Sequence, residues 1–426
     1  MPSPVVPPTA GAERTPEETF RHARGATTGR IPTARANTHH SAPRPAPEAG
    51  PEPAATQGIG QPVSGAIGLA LVAAVALLAG VAPGPQGVLE RVGPYALFCL
   101  PVLTVVALWW DGWPLARRGA AVAGAAGTAL ILGVGLLATV VGQALVGDAD
   151  TSHLFGNSTE TPPPLAHMTT FPWTVPLAGI VFVVLLQITF VCRKWPFAKL
   201  PAPDAGLAAF AASWALGLGI YGLANWDAVP GPLAALLGLN NPGGPVDALD
   251  LVAFGLCLAV WQLTFFFLLE GWPVGRLHNQ AAYLVVANAL TLGGGYLTWL
   301  MLDRGFGLAP AEIGAIAGAA VAGLVVTGLL FEGWPARLLR GANAVRAALL
   351  GVAALWSLAI GYGLYGLGNA AEDWTREPVQ LWTTIMGLTF VGAVVILHVV
   401  VWRRWPLASP ARGDDPATVS EGADAV

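Results

Sequence analysis

Charge is what this sequence has least of. Asp, Glu, Lys and Arg make up 11% of its 426 residues, and lysine supplies only two of the 21 basic ones. A soluble domain carries about 25% charged residues, so a water-facing globule of this size is excluded. What charge there is nearly cancels, at −4, which leaves no basic excess for a nucleic-acid partner. Cysteine is equally sparse. Cys99, Cys192 and Cys257 form no pairwise motif, which excludes a disulfide framework or zinc ribbon and makes them small apolar packers. There is no Walker loop, Gly-x-Ser-x-Gly elbow or His-Glu-x-x-His, so ATP hydrolysis, serine hydrolysis and zinc proteolysis lack support.

What fills the space is apolar. Hydrophobic residues reach 54% and the mean hydropathy is +0.60. Ten runs contain no Asp, Glu, Lys or Arg: 53–89, 92–110, 119–147, 161–192, 205–226, 251–269, 277–302, 313–331, 347–371 and 378–402. A bilayer core needs about 20 apolar residues per helix, and each run holds such a segment. None alternates apolar with polar as barrel strands do. An eleventh uncharged run, 228–246, is broken by Pro, Gly and Asn, so only Pro232–Leu239 is expected to be helical, as a short interfacial or re-entrant piece.

The connections set an orientation. Those after the even-numbered helices carry eleven basic residues, among them Arg117, Arg118, Lys194, Arg337, Arg340 and Arg404. The opposite loops carry three, Arg91, Arg304 and Arg376, against twelve acids. Lys and Arg near helix ends mark the cytoplasmic side, so both termini are expected in the cytoplasm, in a bacterial inner membrane. Nineteen Arg against two Lys, with abundant Ala and Gly, suggest a high-GC bacterial genome. Residues 1–62 are a Pro/Ala-rich tail and 407–426 an acidic one; both lack a hydrophobic pattern and are expected to be disordered.

Punctuation repeats along the chain. DGWPLARR, RKWPFAKL, EGWPVGRL, EGWPARLL and RRWPLASP each close an even-numbered run, with prolines at 114, 196, 273, 335 and 406. Proline ends a helix, and tryptophan suits the headgroup level. The odd-numbered runs repeat as well: LGLGIYGLAN (216–225) and IGYGLYGLGN (360–369) agree at six of ten places. The expected fold is therefore an all-α polytopic membrane protein of about ten transmembrane helices. They are built as five parallel two-helix repeats, each ending in a cytoplasmic Trp-Pro stop. The repeating unit is expected to be a hairpin, an outgoing Gly-rich helix and a returning one. Small residues at Ala215/Gly219/Gly222 and Ala359/Gly363/Gly366 are expected to be packing faces.

Three sets of residues are candidates for function. Polar side chains within the runs, Gln187, Tyr221, Gln262, Asn288, Tyr365 and His398, could line a solute path or could simply bond helix to helix at about 1 kcal/mol each. Gln187 and His398 stand nine and eight residues before their prolines, hence at similar depth. Three places before each proline stand Asp111, Arg193, Glu270, Glu332 and Arg403. These are candidates for cytoplasmic ion pairs, around their own turn or between neighbouring repeats, with Glu332 and Arg403 as a trial pair. The loop histidines His153 and His167 beside Asp148 and Asp150 are a conceivable metal site, with a plain polar loop the preferred reading. His398 has no second intramembrane histidine and no adjacent acid, so neither haem nor a metal is expected, and no cofactor is.

Two functions fit these residues. One is a permease or channel-like transporter of a neutral or weakly polar small solute, favoured by the repeats and the helix glycines. The alternative is a non-transporting scaffold, assembly factor or sensor whose repeats only pack together. No acid, base or nucleophile set points to an enzyme. The lack of any charge deep in a helix argues against a proton-driven pump. The lipid bilayer is the one partner the composition names; no protein partner is specified.

Overall fold

The structure, a computed structural model, describes residues 59–407 apart from 111, 116–117, 147–173, 227–228, 230, 240–243 and 372–378. Residues 1–58 and 408–426 of the two tails, Asp111 and the loop with His153 and His167 lie outside the described residues; of the first tail, Gln61 is held, its Nε2 donating to the Leu330 carbonyl at 3.0 Å. Within them the regular structure is helical and no strand occurs. Eight helices are long and apolar enough to cross a membrane: α1 (Val63–Val81), α3 (Ala120–Leu145), α5 (Ala202–Tyr221), α6 (Ala248–Leu268), α7 (Gln280–Gly305), α8 (Pro310–Leu330), α9 (Ala342–Asn369) and α10 (Val379–Val401). Two shorter apolar helices, α2 (Gly93–Trp109) and α4 (Pro176–Val191), stand in the remaining places. The broken eleventh run forms only a short helix, Gly231–Leu237, with Leu233, Leu236 and Leu237 exposed.

The helices form two layers. α2 packs on α4, α4 on α6, α6 on α8, α8 on α10, and α10 returns to α2, which closes an inner ring. The odd-numbered helices lie outside it. In the most apolar stretch of α8, 72% of residues are buried, against 17% in α9. Both helices are apolar on every side, so burial is set by position in the bundle and not by amphipathicity. Leucines on the outer helices, such as Leu137, Leu297 and Leu355, stay exposed as lipid would require.

The closest pairs are not the hairpins expected from sequence. α3 packs chiefly on α2, α5 on α4, α7 on α6 and α9 on α8, each across the intervening Trp-Pro turn. α1 lies against α10 and the end of α8, which is the seat a helix following α10 would take. The register across the turns recurs. Gly135 lies against Cys99, a Cβ on Gly217 would stand 2.6 Å from Val181, and one on Gly295 would stand 2.9 Å from the Leu258 Cα. Cys99, Val181 and Leu258 are each fifteen residues before their turn's proline, at 114, 196 and 273. Lipid supplies no hydrophobic drive between helices, so such close approaches carry the packing.

The glycine faces proposed from spacing are corrected by this packing. Ala215 and Gly219 are exposed, as are Ala359, Gly363 and Gly366; Gly222 alone of that set is buried, under Val229. The helices pack instead through Ser213, Gly217 and Tyr221 in α5 and Leu364 and Gly368 in α9. The cause is register. Tyr221 follows Pro196 by 25 residues and Tyr365 follows Pro335 by 30, and five residues turn a helix by about 140° net. The two similar decapeptides therefore present different faces: Tyr221 is fully buried while Tyr365 is 39% exposed.

All five inner helices end alike. Each closes on a wide turn in which an amide bonds five residues back: Trp110 to Val105, Cys192 to Gln187, Leu269 to Thr264, Phe331 to Val326 and Trp402 to Leu397. Two residues in left-handed conformation then reverse the chain: Arg193–Lys194, Glu270–Gly271, Glu332–Gly333 and Arg403–Arg404, with Gly112 in the first turn. The Trp-Pro peptide that follows is cis in every copy.

Gly217→Leu should destabilise the purified protein by about 1–3 kcal/mol through overpacking, whereas Gly219→Leu, with nothing within 4 Å, should be nearly neutral. Thermal unfolding in mild detergent compares the two; an equal loss would contradict the helix faces described.

Candidate functional site

Three of the six intramembrane candidates meet. Gln262 Nε2 donates to Gln187 Oε1 at 2.6 Å and to the Val183 carbonyl at 3.2 Å. Gln187 Nε2 in turn donates to Asn288 Oδ1 at 2.9 Å and Thr291 Oγ1 at 3.0 Å. Asn288 Nδ2 closes the chain on the Leu284 carbonyl at 2.8 Å, with Cys192 Sγ at 3.7 Å. Both groups facing the Gln262 NH2 are acceptors, so its orientation is fixed and its own Oε1 is left buried without a partner. The cluster joins α4 and α6 of the inner ring to α7 of the outer layer. It is a wedge between layers, away from the ring's centre.

The other three candidates stand apart. Tyr221 packs among Leu177, Val181, Ala224 and Leu251 near the far end of α5. Tyr365 faces outward from α9. His398 is half-buried on α10 with its ring toward Gly68 of α1. Gln187 and His398, which similar depth suggested for one cavity, lie in different sectors. Between the first halves of α2, α4, α6 and α10, a cavity of about 50 Å³ is lined by Leu97, Ile180, Val183, Leu256, Ile385 and Leu388 among others. Such a volume could hold a water, but a water also needs two to four polar partners. The lining's one polar side chain, Thr384, spends its hydroxyl on the Gln380 carbonyl.

Charge collects at the Trp-Pro end. Glu332 pairs with Arg404 Nη2 at 2.6 Å, one residue beyond the Arg403 singled out from sequence. Arg404 also donates to the Leu329 carbonyl at 2.7 Å. Lys194 does the equivalent with the Leu108 carbonyl at 2.7 Å; Leu108 and Leu329 are each six residues before their turn's proline. Arg193 stacks 3.8 Å from the Tyr283 ring centroid and lies beside Gly271 and Gly275. Arg403 Nη1 reaches the Arg118 carbonyl at 3.4 Å, and Arg346 lies over the Trp272 ring at 5.1 Å. The contacts link first turn to second, second to third, third to fourth, fourth to fifth, and fifth to first.

Sequence reasoning stopped at the third residue before each proline and so missed Lys194 and Arg404. The signal was present: the next residue is glycine after an acid and a cation after an arginine. A non-glycine residue with positive φ costs about 1–2 kcal/mol. Lys194 and Arg404 accept that geometry, and their side chains recover bonds that glycine could not make. Thr291 and the Val183 carbonyl were missed because a threonine or a backbone group in an apolar run gives no signal of its own.

Among the described residues no group of three or more His, Cys, Asp or Glu is placed to hold a metal ion. The chain is an all-helical, multi-pass membrane protein by the length and composition of its helices. No protein-family model, no curated protein and no solved structure matches it.

Two substitutions test these contacts. Asn288→Leu removes the acceptor that fixes Gln187 and should cost about 1 kcal/mol, read as a lower melting temperature. Glu332→Arg or Arg404→Glu alone should each cost on the order of 1 kcal/mol, and the two together should recover most of it. A double variant no better than either single one would dismiss the pair.

Proposed function

We propose that the chain is a non-transporting membrane scaffold or sensor, a ten-crossing ring of five parallel units. The observation that carries this is the division of its polar groups. The amides that meet hold α7 against α4 and α6, the others lie in separate sectors, and the cavity between the inner helices is apolar. A permease for a polar solute would instead present such groups to a shared path. Gln187, Gln262 and Asn288 act in this reading as helix-to-helix bonds. The charged residues of the turns fix the order of neighbours around the ring.

The membrane placement belongs to the same proposal. All ten helices cross, the five Trp-Pro turns lie at the cytoplasmic headgroup level, and both termini are cytoplasmic in a bacterial inner membrane. The basic residues beside the turns support this side, as do the tryptophans Trp113, Trp195, Trp272 and Trp405, which remain well exposed at the turns. α2 and α4, at 17 and 16 residues, span about 25 Å each; wide turns and their flanking segments complete the crossing.

Proteoliposomes settle the first half. Osmotic swelling with small neutral solutes such as glycerol or urea should proceed no faster than in protein-free vesicles, and saturable uptake would overturn the scaffold reading. Thiols settle the second. In a background without the three native cysteines, Leu200→Cys and Leu338→Cys should react from one compartment and Phe306→Cys from the other. Labelling of 200 and 338 from opposite sides would end the five-unit ring.

A further inference from the structure

The contacts between turns are unequal, and one junction is filled less closely than the others. The second and fifth turns carry two cations each, Arg193–Lys194 and Arg403–Arg404, and send one to each side. Four of the five junctions receive a cation in this way. The junction between the third and fourth turns receives none from these pairs; the cation there is Arg346 of α9, over the Trp272 ring. Steric filling is lacking as well. At three other junctions a large side chain four residues before the proline lies over a glycine: Trp110 over Gly206, Trp402 over Gly124 and Phe331 over Gly65. At the junction of the third and fourth turns the corresponding residues are Leu269 and Val345, neither of them large. The result is a groove of about 400 Å³ between the end of α6 and the start of α9.

We infer that this groove binds the headgroup of an anionic phospholipid. Its walls carry Arg276, Arg346 and Glu270, a net positive charge, beside Trp272, Leu269 and Leu349. Arg346 is held over the Trp272 ring and donates to Asn343 Oδ1 at 3.2 Å, which presents the guanidinium without further ordering. Guanidinium groups bind phosphate oxygens in a fork, and basic pockets between helices at the cytoplasmic boundary suit anionic headgroups. The leucines and the tryptophan accept the start of the acyl chains. A soluble phosphate would use the arginines alone. The inference rests on the turns lying at headgroup level, as proposed above.

The test uses the full chain, delipidated in mild detergent, with melting temperature followed during titration. Phosphatidylglycerol should raise it, while phosphatidylcholine and inorganic phosphate should not. In the double variant Arg276→Gln/Arg346→Gln, half-saturation should shift by on the order of tenfold; Arg340→Gln, exposed and outside the groove, should respond as wild type. Val345→Phe fills the groove without touching a charge and should abolish the response, which keeps the test valid if the arginine variant does not fold. A wild-type response in either groove variant overturns the site. An equal response to inorganic phosphate overturns the lipid assignment. Either result with the thiol labelling intact would sink the phospholipid site and leave the membrane topology standing.

Discussion

A helix that ends inside a packed bundle must find partners for its last carbonyls. The rest of this molecule follows from how that is done. Each inner helix widens its final turn, reverses through a left-handed pair and stops at Trp-Pro. The reversal lays the next helix back along the one just finished, so four such ends generate four inner–outer pairs, and α1 takes the place beside α10. Cations from two of the turns then reach carbonyls of neighbouring turns. A capping problem solved locally thus also orders the ring.

The intramembrane amides belong to the same economy. In lipid an unpaired polar group is costly, yet bonds between helices contribute only about 1 kcal/mol each. Gln262, Gln187 and Asn288 gain by bonding in series, and the chain ends on a helix carbonyl. Their place between layers fits cohesion better than conduction. Gly318 and Gly387 make the complementary approach inside the ring, where α8 and α10 come to backbone contact.

Much of the fold was legible because lipid demands long uncharged runs: the ten sequence segments and the ten apolar helices coincide within a few residues at most ends. That a Trp-Pro follows each even-numbered run was equally plain. Packing faces were not. Similar decapeptides at different distances from their turns point in different directions, and spacing of small residues within a helix cannot reveal that phase. Nor can it reveal that α3 leans on α2 more than on α4, since both neighbours are apolar. At the charged end, residue types were readable but partners were not, because Arg403 and Arg404 are adjacent and the turn alone decides which meets Glu332.

The seat of α1 has a consequence for biosynthesis. Of the ten helices α1 is made first, while its neighbours α8 and α10 are made eighth and tenth. About 300 residues separate Val81 from Val379, which at roughly 5–20 residues per second takes about 15–60 s. Throughout that interval α1 has lipid or an insertion factor for company, with its glycine face uncovered. The ring is then completed by a meeting of its earliest and latest helices, and any helper protein would be needed longest by α1.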